Sequence, residues 1–142
     1  MGASMSIENN KTLIRQFQQS IEKKLQGQAI SLGDFFCDDI VWHFPQSTAA
    51  VATSDIHRGK TAVLAIFDRD VSQFYVPNSI RFDYHYCTAE EDRVHLLFTM
   101  HAVTSTAKPY TNHYQSLFQL RDGKIAQVWE YFDTAYLFSL YS

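Results

Sequence analysis

Glu130 is the carboxylate in this sequence best placed to do chemistry. It alternates with Ala126, Val128 and Phe132 near the carboxy terminus, and a period of two puts all four on one face of a strand. A carboxylate set among aromatic walls loses hydration, so its pKa rises and it becomes an acid or base near neutral pH. Two other readings stand beside this one: a glutamate paired to an arginine, and a glutamate solvated at a rim. Upstream, Tyr110, Asn112 and Tyr114 share a strand face. Their amide and phenols suit the orientation of a carbonyl or an oxyanion, and ordinary strand packing explains the same residues as well.

The six histidines form no motif. None has the helical spacing of H-E-x-x-H and no cysteine joins them, so neither a metal nor a cofactor is expected. His43, His85, His95, His101 and His113 alternate away from the aromatic faces, whereas His57 lies in a long polar stretch. Cys37 and Cys87 lack C-x-x-C spacing and read as reduced thiols, which points to the cytoplasm. The formal net charge of -3 and scattered Lys and Arg offer no face for phosphates, so nucleic acid is not an expected partner. No run of 18 apolar residues is present, and no membrane partner is expected. Met1 to Ser6 fits a myristoylation pattern, but its small residues read better as a disordered leader.

These side chains need elements to position them. Over Ile7 to Leu25, Leu13, Ile14, Phe17, Ile21 and Leu25 recur at three and four, with Lys11, Arg15, Gln18, Glu22 and Lys23 on the other face; this predicts an amphipathic helix. A short helix is expected through Leu32, Phe35 and Phe36 to Cys37, closed by Asp38 and Asp39, then a strand over Ile40 to Pro45. Gln46 to Arg58 reads as one long loop of the kind that covers sites. Gly59 opens a third helix carrying Val63, Leu64, Phe67, Val71 and Phe74. The period then changes to two. Arg81 to Tyr86 and Arg93 to His101 pair across Glu90-Glu91-Asp92, Tyr110 to Leu120 follows, and Asp122-Gly123 turns the chain into Ile125 to Asp133, with Thr134 capping a last helix. Helices first and strands after predict an α+β domain over residues 7–142: three or four helices on a curved antiparallel sheet enclosing an apolar pocket.

The chain resembles the SnoaL-like branch of the nuclear transport factor 2-like superfamily, the ketosteroid isomerase-like fold, over Asn10 to Phe138. The resemblance rests on Phe35-Phe36-Cys37-Asp38-Asp39, Trp42 with Pro45, Gly59, and Tyr110-x-Asn112-x-Tyr114. It rests most on Phe118-x-Leu120-x-Asp122-Gly123-Lys124-Ile125 followed by Glu130-Tyr131-Phe132-Asp133-Thr134. It implies a conical half-barrel with a deep pocket, Glu130 on the pocket face, and often a homodimer joined through the convex sheet face. It implies no single activity. Where an isomerase-like base would precede the proline stands Phe44, near the first-helix tyrosine stands Ser20, and near the second acid stand Asn112 and Tyr114. A steroid isomerase is therefore not expected.

Three functions follow. The first is a small-molecule enzyme doing isomerisation, cyclisation or hydration on an apolar carbonyl compound. In it Glu130 is the acid or base, Asn112 and Tyr114 fix the oxygen, and Phe17, Trp42, Phe44, Tyr110, Phe118 and Phe132 hold the carbon skeleton. The second is a non-catalytic ligand-binding protein, and the third a dimeric adaptor. Leu97, Leu117, Trp129 and Tyr131, on faces the helix-packed core does not need, favour a homodimer.

Overall fold

The computed structural model describes residues 6–52 and 54–141. The remainder of the expected leader, Met1 to Met5, lies outside them. Ser6 belongs to the first helix, α1 (Ile7–Leu25), as its N-cap, its Oγ accepting from the Asn9 N–H at 3.1 Å. The helix ends where Gly27 takes φ +95°, a conformation that side chains resist.

A single 3-10 turn, Gly33–Phe35, stands where the second helix was expected, and the chain goes straight into β1 (Phe36–His43). The β-favouring run Phe36, Ile40, Val41 and Trp42 pairs with the sheet and overrides the local helical spacing. Asp38 and Asp39 are thus exposed strand residues that hold Lys60 and Arg121. The expected loop is also partly ordered. It contains a 3-10 segment, Gln46–Ala50, and a short strand, β2 (Ile56–Arg58), paired antiparallel to β1. The third helix runs as α2 (Lys60–Ala65), a π-helical turn (Ile66–Asp70) and α3 (Val71–Phe74).

Four long strands follow: β3 (Arg81–Glu90), β4 (Arg93–Val103), β5 (Pro109–Arg121) and β6 (Lys124–Phe132). The six strands form one sheet in the order β2-β1-β6-β5-β4-β3, antiparallel except where β1 runs parallel to β6. The β5–β6 hairpin turns through Asp122 and Gly123, both at positive φ. A register shift between Tyr84 and Tyr86 breaks the simple alternation expected in β3 and leaves Tyr86 exposed. The last helix, α4 (Thr134–Ser139), is capped by Asp133 and not by Thr134, the carboxylate accepting from the Tyr136 N–H at 3.0 Å.

Phe17 is the hub of the core. It is fully buried, and its ring meets Phe35, Phe36, Trp42, Phe67 and Phe118 at centroid distances of 5.4 to 6.5 Å. Burial of a phenylalanine is worth about 1.5–3 kcal/mol, so these contacts fix α1 against β1, β5 and the π-helical turn. Between this core and α4 the curved sheet and the helices leave an internal space.

Candidate functional site

That space is a cavity of about 890 Å³. Phe82, Phe98, Met100, Tyr114, Glu130 and Phe132 line it from the sheet, Gln18, Ile21 and Leu25 from α1, Ile66, Phe67, Arg69 and Asp70 from the π-helical turn, and Leu137 and Phe138 from α4. Residues of the 46–58 segment, among them Thr48, Val51, Ser54 and His57, complete the wall. A π-helical turn widens the backbone and re-aims its side chains, and here it brings Phe67 and Arg69 onto the same cavity.

Glu130 is enclosed by protein, and the part of its surface that stays accessible faces the cavity. Loss of hydration pushes its pKa up to about 8 from 4.5, and the indole of Trp42 opposes the rise. Trp42 Nε1 is buried without a hydrogen bond of ordinary geometry, so its influence on Glu130 is that of a nearby N–H dipole. Among the described residues no cation pairs with Glu130. Arg69, the guanidinium on the same cavity, is held by Asp70 at 3.0 Å. Strand register sets Glu130 opposite Ser116 and Phe132 opposite Tyr114, which keeps the carboxyl within reach of the Tyr114 phenol: a charge on Glu130 raises the pKa of both Tyr114 and Tyr110.

The phenols of Tyr110 and Tyr114 are joined at 2.6 Å, and Asn112 Nδ2 donates to the Tyr110 oxygen at 2.9 Å. Tyr75 lies against the same group, its ring 5.1 Å from that of Tyr110. Burial raises the pKa of all three tyrosines, so they act as neutral hydrogen-bond groups. Tyr114 is stacked on Phe98 at 5.2 Å and lies 4.8 Å from Phe132, which fixes its ring at the cavity wall.

Of the residues singled out from the sequence, Glu130, Tyr114, Phe44 and Phe132 meet on the cavity. Phe17, Trp42, Tyr110 and Phe118 lie behind the wall, in the core. Asn112 does not line the cavity: its amide donates to Tyr110 and to the Asp133 carbonyl at 2.9 Å, and its Oδ1 accepts from the His113 N–H at 2.9 Å. It positions the tyrosines. Gln18, expected on the solvated face of α1, is buried and lines the cavity. Its spacing was the signal, since it follows Ile14 by four and precedes Ile21 by three.

His57 borders the cavity 5.4 Å from the Phe44 ring, and burial lowers its pKa against the opposing charges of Asp70 and Asp55. The other histidines have partners: His43 stacks on Trp129 at 5.1 Å, His85 and His113 share the Thr99 hydroxyl, His95 meets Gln115, and His101 meets Asp83 at 2.7 Å. Among the described residues no three of His, Cys, Asp and Glu are grouped to hold a metal ion, and no helix is long and apolar enough to cross a membrane.

The fold has many solved counterparts. A Burkholderia pseudomallei protein of unknown function, described as NTF2-like, superposes with a TM-score of 0.81 at 20% identity, covering 96% of this chain and 98% of that one. A Rhodopseudomonas palustris protein provisionally named an isomerase gives 0.77 at 17% identity over 91% and 95%. TerC, co-crystallised with polyporic acid, gives 0.77 at 16% identity over 93% and 97%. At these identities the likeness is one of fold. No curated protein matches the chain. The family model of the SnoaL-like domain matches residues 17–128, most of the strands and helices that build the cavity, and the chain therefore belongs to the SnoaL-like domain family.

Proposed function

We propose that this protein binds a small, largely apolar organic molecule in the cavity and transfers a proton at a carbon next to a carbonyl, as in isomerisation, cyclisation or hydration. The observation that carries the reading is Glu130, a carboxyl without a cation partner, facing an aromatic cavity with its pKa raised to about 8. A carboxyl with that pKa is both a competent base and a competent acid near neutral pH. In the first half-reaction the Glu130 carboxylate takes the proton, and the carbon–hydrogen pair of electrons moves into an enolate. The enolate oxygen accepts a hydrogen bond from Tyr114, whose phenol is oriented by Tyr110 and Asn112. Glu130 then returns the proton to the same or a different carbon. The TerC–polyporic acid crystal supports small-molecule occupancy of this fold.

The reading includes a homodimer formed through the outer sheet face, where Tyr131 is exposed and Leu117 and Trp129 border a shallow depression, and a cytoplasmic setting in keeping with two free thiols. The test of the chemistry is hydrogen exchange of 2-tetralone in D2O at pH 8, followed by NMR. Wild type should accelerate exchange at the carbon beside the carbonyl, and Glu130→Gln should return it to the rate in buffer. Equal acceleration by both proteins would remove Glu130 from the chemistry.

A further inference from the structure

Two polar side chains sit in the apolar stripe of α1, and they are treated differently by the fold. Asn10 is buried and donates to the Glu91 carbonyl at 3.2 Å. Gln18 is 3% exposed and lines the cavity. Among the described residues its amide has no hydrogen-bond partner, and its polar atoms are not sealed off as Trp42 Nε1 is. Burying an amide without a partner costs free energy, whereas a leucine at this position would extend the stripe of Ile14, Ile21 and Leu25 at no such cost. An amide on a cavity wall takes its hydrogen-bond partner from a molecule that enters the cavity.

We infer that Gln18 is a ligand-binding residue that selects molecules carrying a hydroxyl next to a carbonyl. The inference rests on the cavity being a small-molecule site and adds to it a second polar contact, separate from Glu130. A primary amide presents one acceptor and one N–H donor side by side. Its complement is a neighbouring donor and acceptor: the ligand carbonyl accepts from Gln18 Nε2 while the adjacent hydroxyl donates to Oε1. The surroundings restrict the rest of the molecule. Ile21, Leu25, Phe82 and Phe98 are apolar, and Arg69 is paired with Asp70, so an uncharged compound with aromatic or alicyclic rings fits best. A ligand lacking the hydroxyl leaves the Gln18 acceptor unpaired, and this is the source of selectivity.

Benzoin and deoxybenzoin share a skeleton and differ in this one hydroxyl. Their affinities are to be measured by calorimetry on wild type, Gln18→Leu and Gln18→Met, the methionine keeping side-chain length should leucine disturb packing. Wild type should bind benzoin about tenfold more tightly than deoxybenzoin, the difference one hydrogen bond supplies. Both variants should lose that preference and bind deoxybenzoin at least as tightly as wild type does. Equal binding of the two probes by wild type, or an unchanged preference in the variants, overturns the role of Gln18 and leaves the pocket standing. Binding of neither probe by any of the three proteins overturns the pocket and the selectivity together.

Discussion

The phenol oxygens of Tyr110 and Tyr114 stand 2.6 Å apart, and the Asn112 amide donates to the first of them. Either phenol can donate in this bond; the proposed chemistry uses the arrangement in which Tyr110, accepting from Asn112, donates to Tyr114 and the Tyr114 hydrogen points at the cavity. Tyr110 is buried in the core while Tyr114 borders the cavity. The pair thus carries polarity from the core to the wall.

Asn112→Ala should destabilise the protein more than Tyr110→Phe. The alanine variant strips partners from the Tyr110 oxygen, the Asp133 carbonyl and the His113 N–H, and should cost about 3 kcal/mol; the phenylalanine variant should cost about 1 kcal/mol. Urea denaturation monitored by circular dichroism gives both values. A smaller loss in Asn112→Ala than in Tyr110→Phe would break the ordering.

The two tryptophans should differ in accessibility. Trp42 is 2% exposed, behind Phe44 and Phe67, whereas Trp129 lies on the outer face, stacked on His43. In the Leu117→Glu, Tyr131→Glu background, which frees the outer face from the proposed dimer, acrylamide should quench Trp42→Phe protein, which retains Trp129, more steeply than Trp129→Phe protein. Equal slopes would mean that the cavity admits solvent to Trp42.

The proposed homodimer makes Tyr131 and Leu117 interface residues. Sedimentation equilibrium should give twice the chain mass for wild type, and the double variant Leu117→Glu, Tyr131→Glu should give the chain mass with an unchanged circular dichroism spectrum. A wild type at the chain mass under the same conditions would leave the outer face without this role.

Glu130 also sets how stability varies with pH. Its folded pKa of about 8 lies above the ordinary 4.5, so folding favours the protonated form. The stability this contributes is complete below about pH 4.5 and is lost as pH rises to about 8, a change on the order of 5 kcal/mol. Glu130→Gln lacks the titration, and its stability relative to wild type should increase between pH 5.0 and pH 8.5 in chemical denaturation. A difference between the two proteins that stays constant over that range would show that Glu130 does not change its proton affinity on folding.

Alternation along β5 and β6 was enough to bring Tyr114, Glu130 and Phe132 to one face, because the sheet there is regular and two-sided. The same rule failed in β3, where the register shift after Tyr84 turns Tyr86 outward. Phe36 and Cys37 read as helical because their local spacing carries no trace of β6, the strand to which β1 pairs in parallel from a distant part of the sequence. For Gln18, polarity points to the solvated face while helical position points to the apolar stripe, and only the cavity shows why a glutamine occupies that stripe. Trp42, Phe118 and Tyr110 share the right face of the sheet, but depth below the wall depends on neighbouring side chains and not on parity.

The most direct test is the titration of Glu130 itself, followed through its side-chain carboxyl carbon by NMR in protein labelled at glutamate, with Glu130→Gln to assign the resonance. A midpoint near 8 is the predicted result, and a midpoint near 4.5 would contradict it, since it would mean a carboxylate solvated in the folded protein and unsuited to taking and returning a proton near neutral pH.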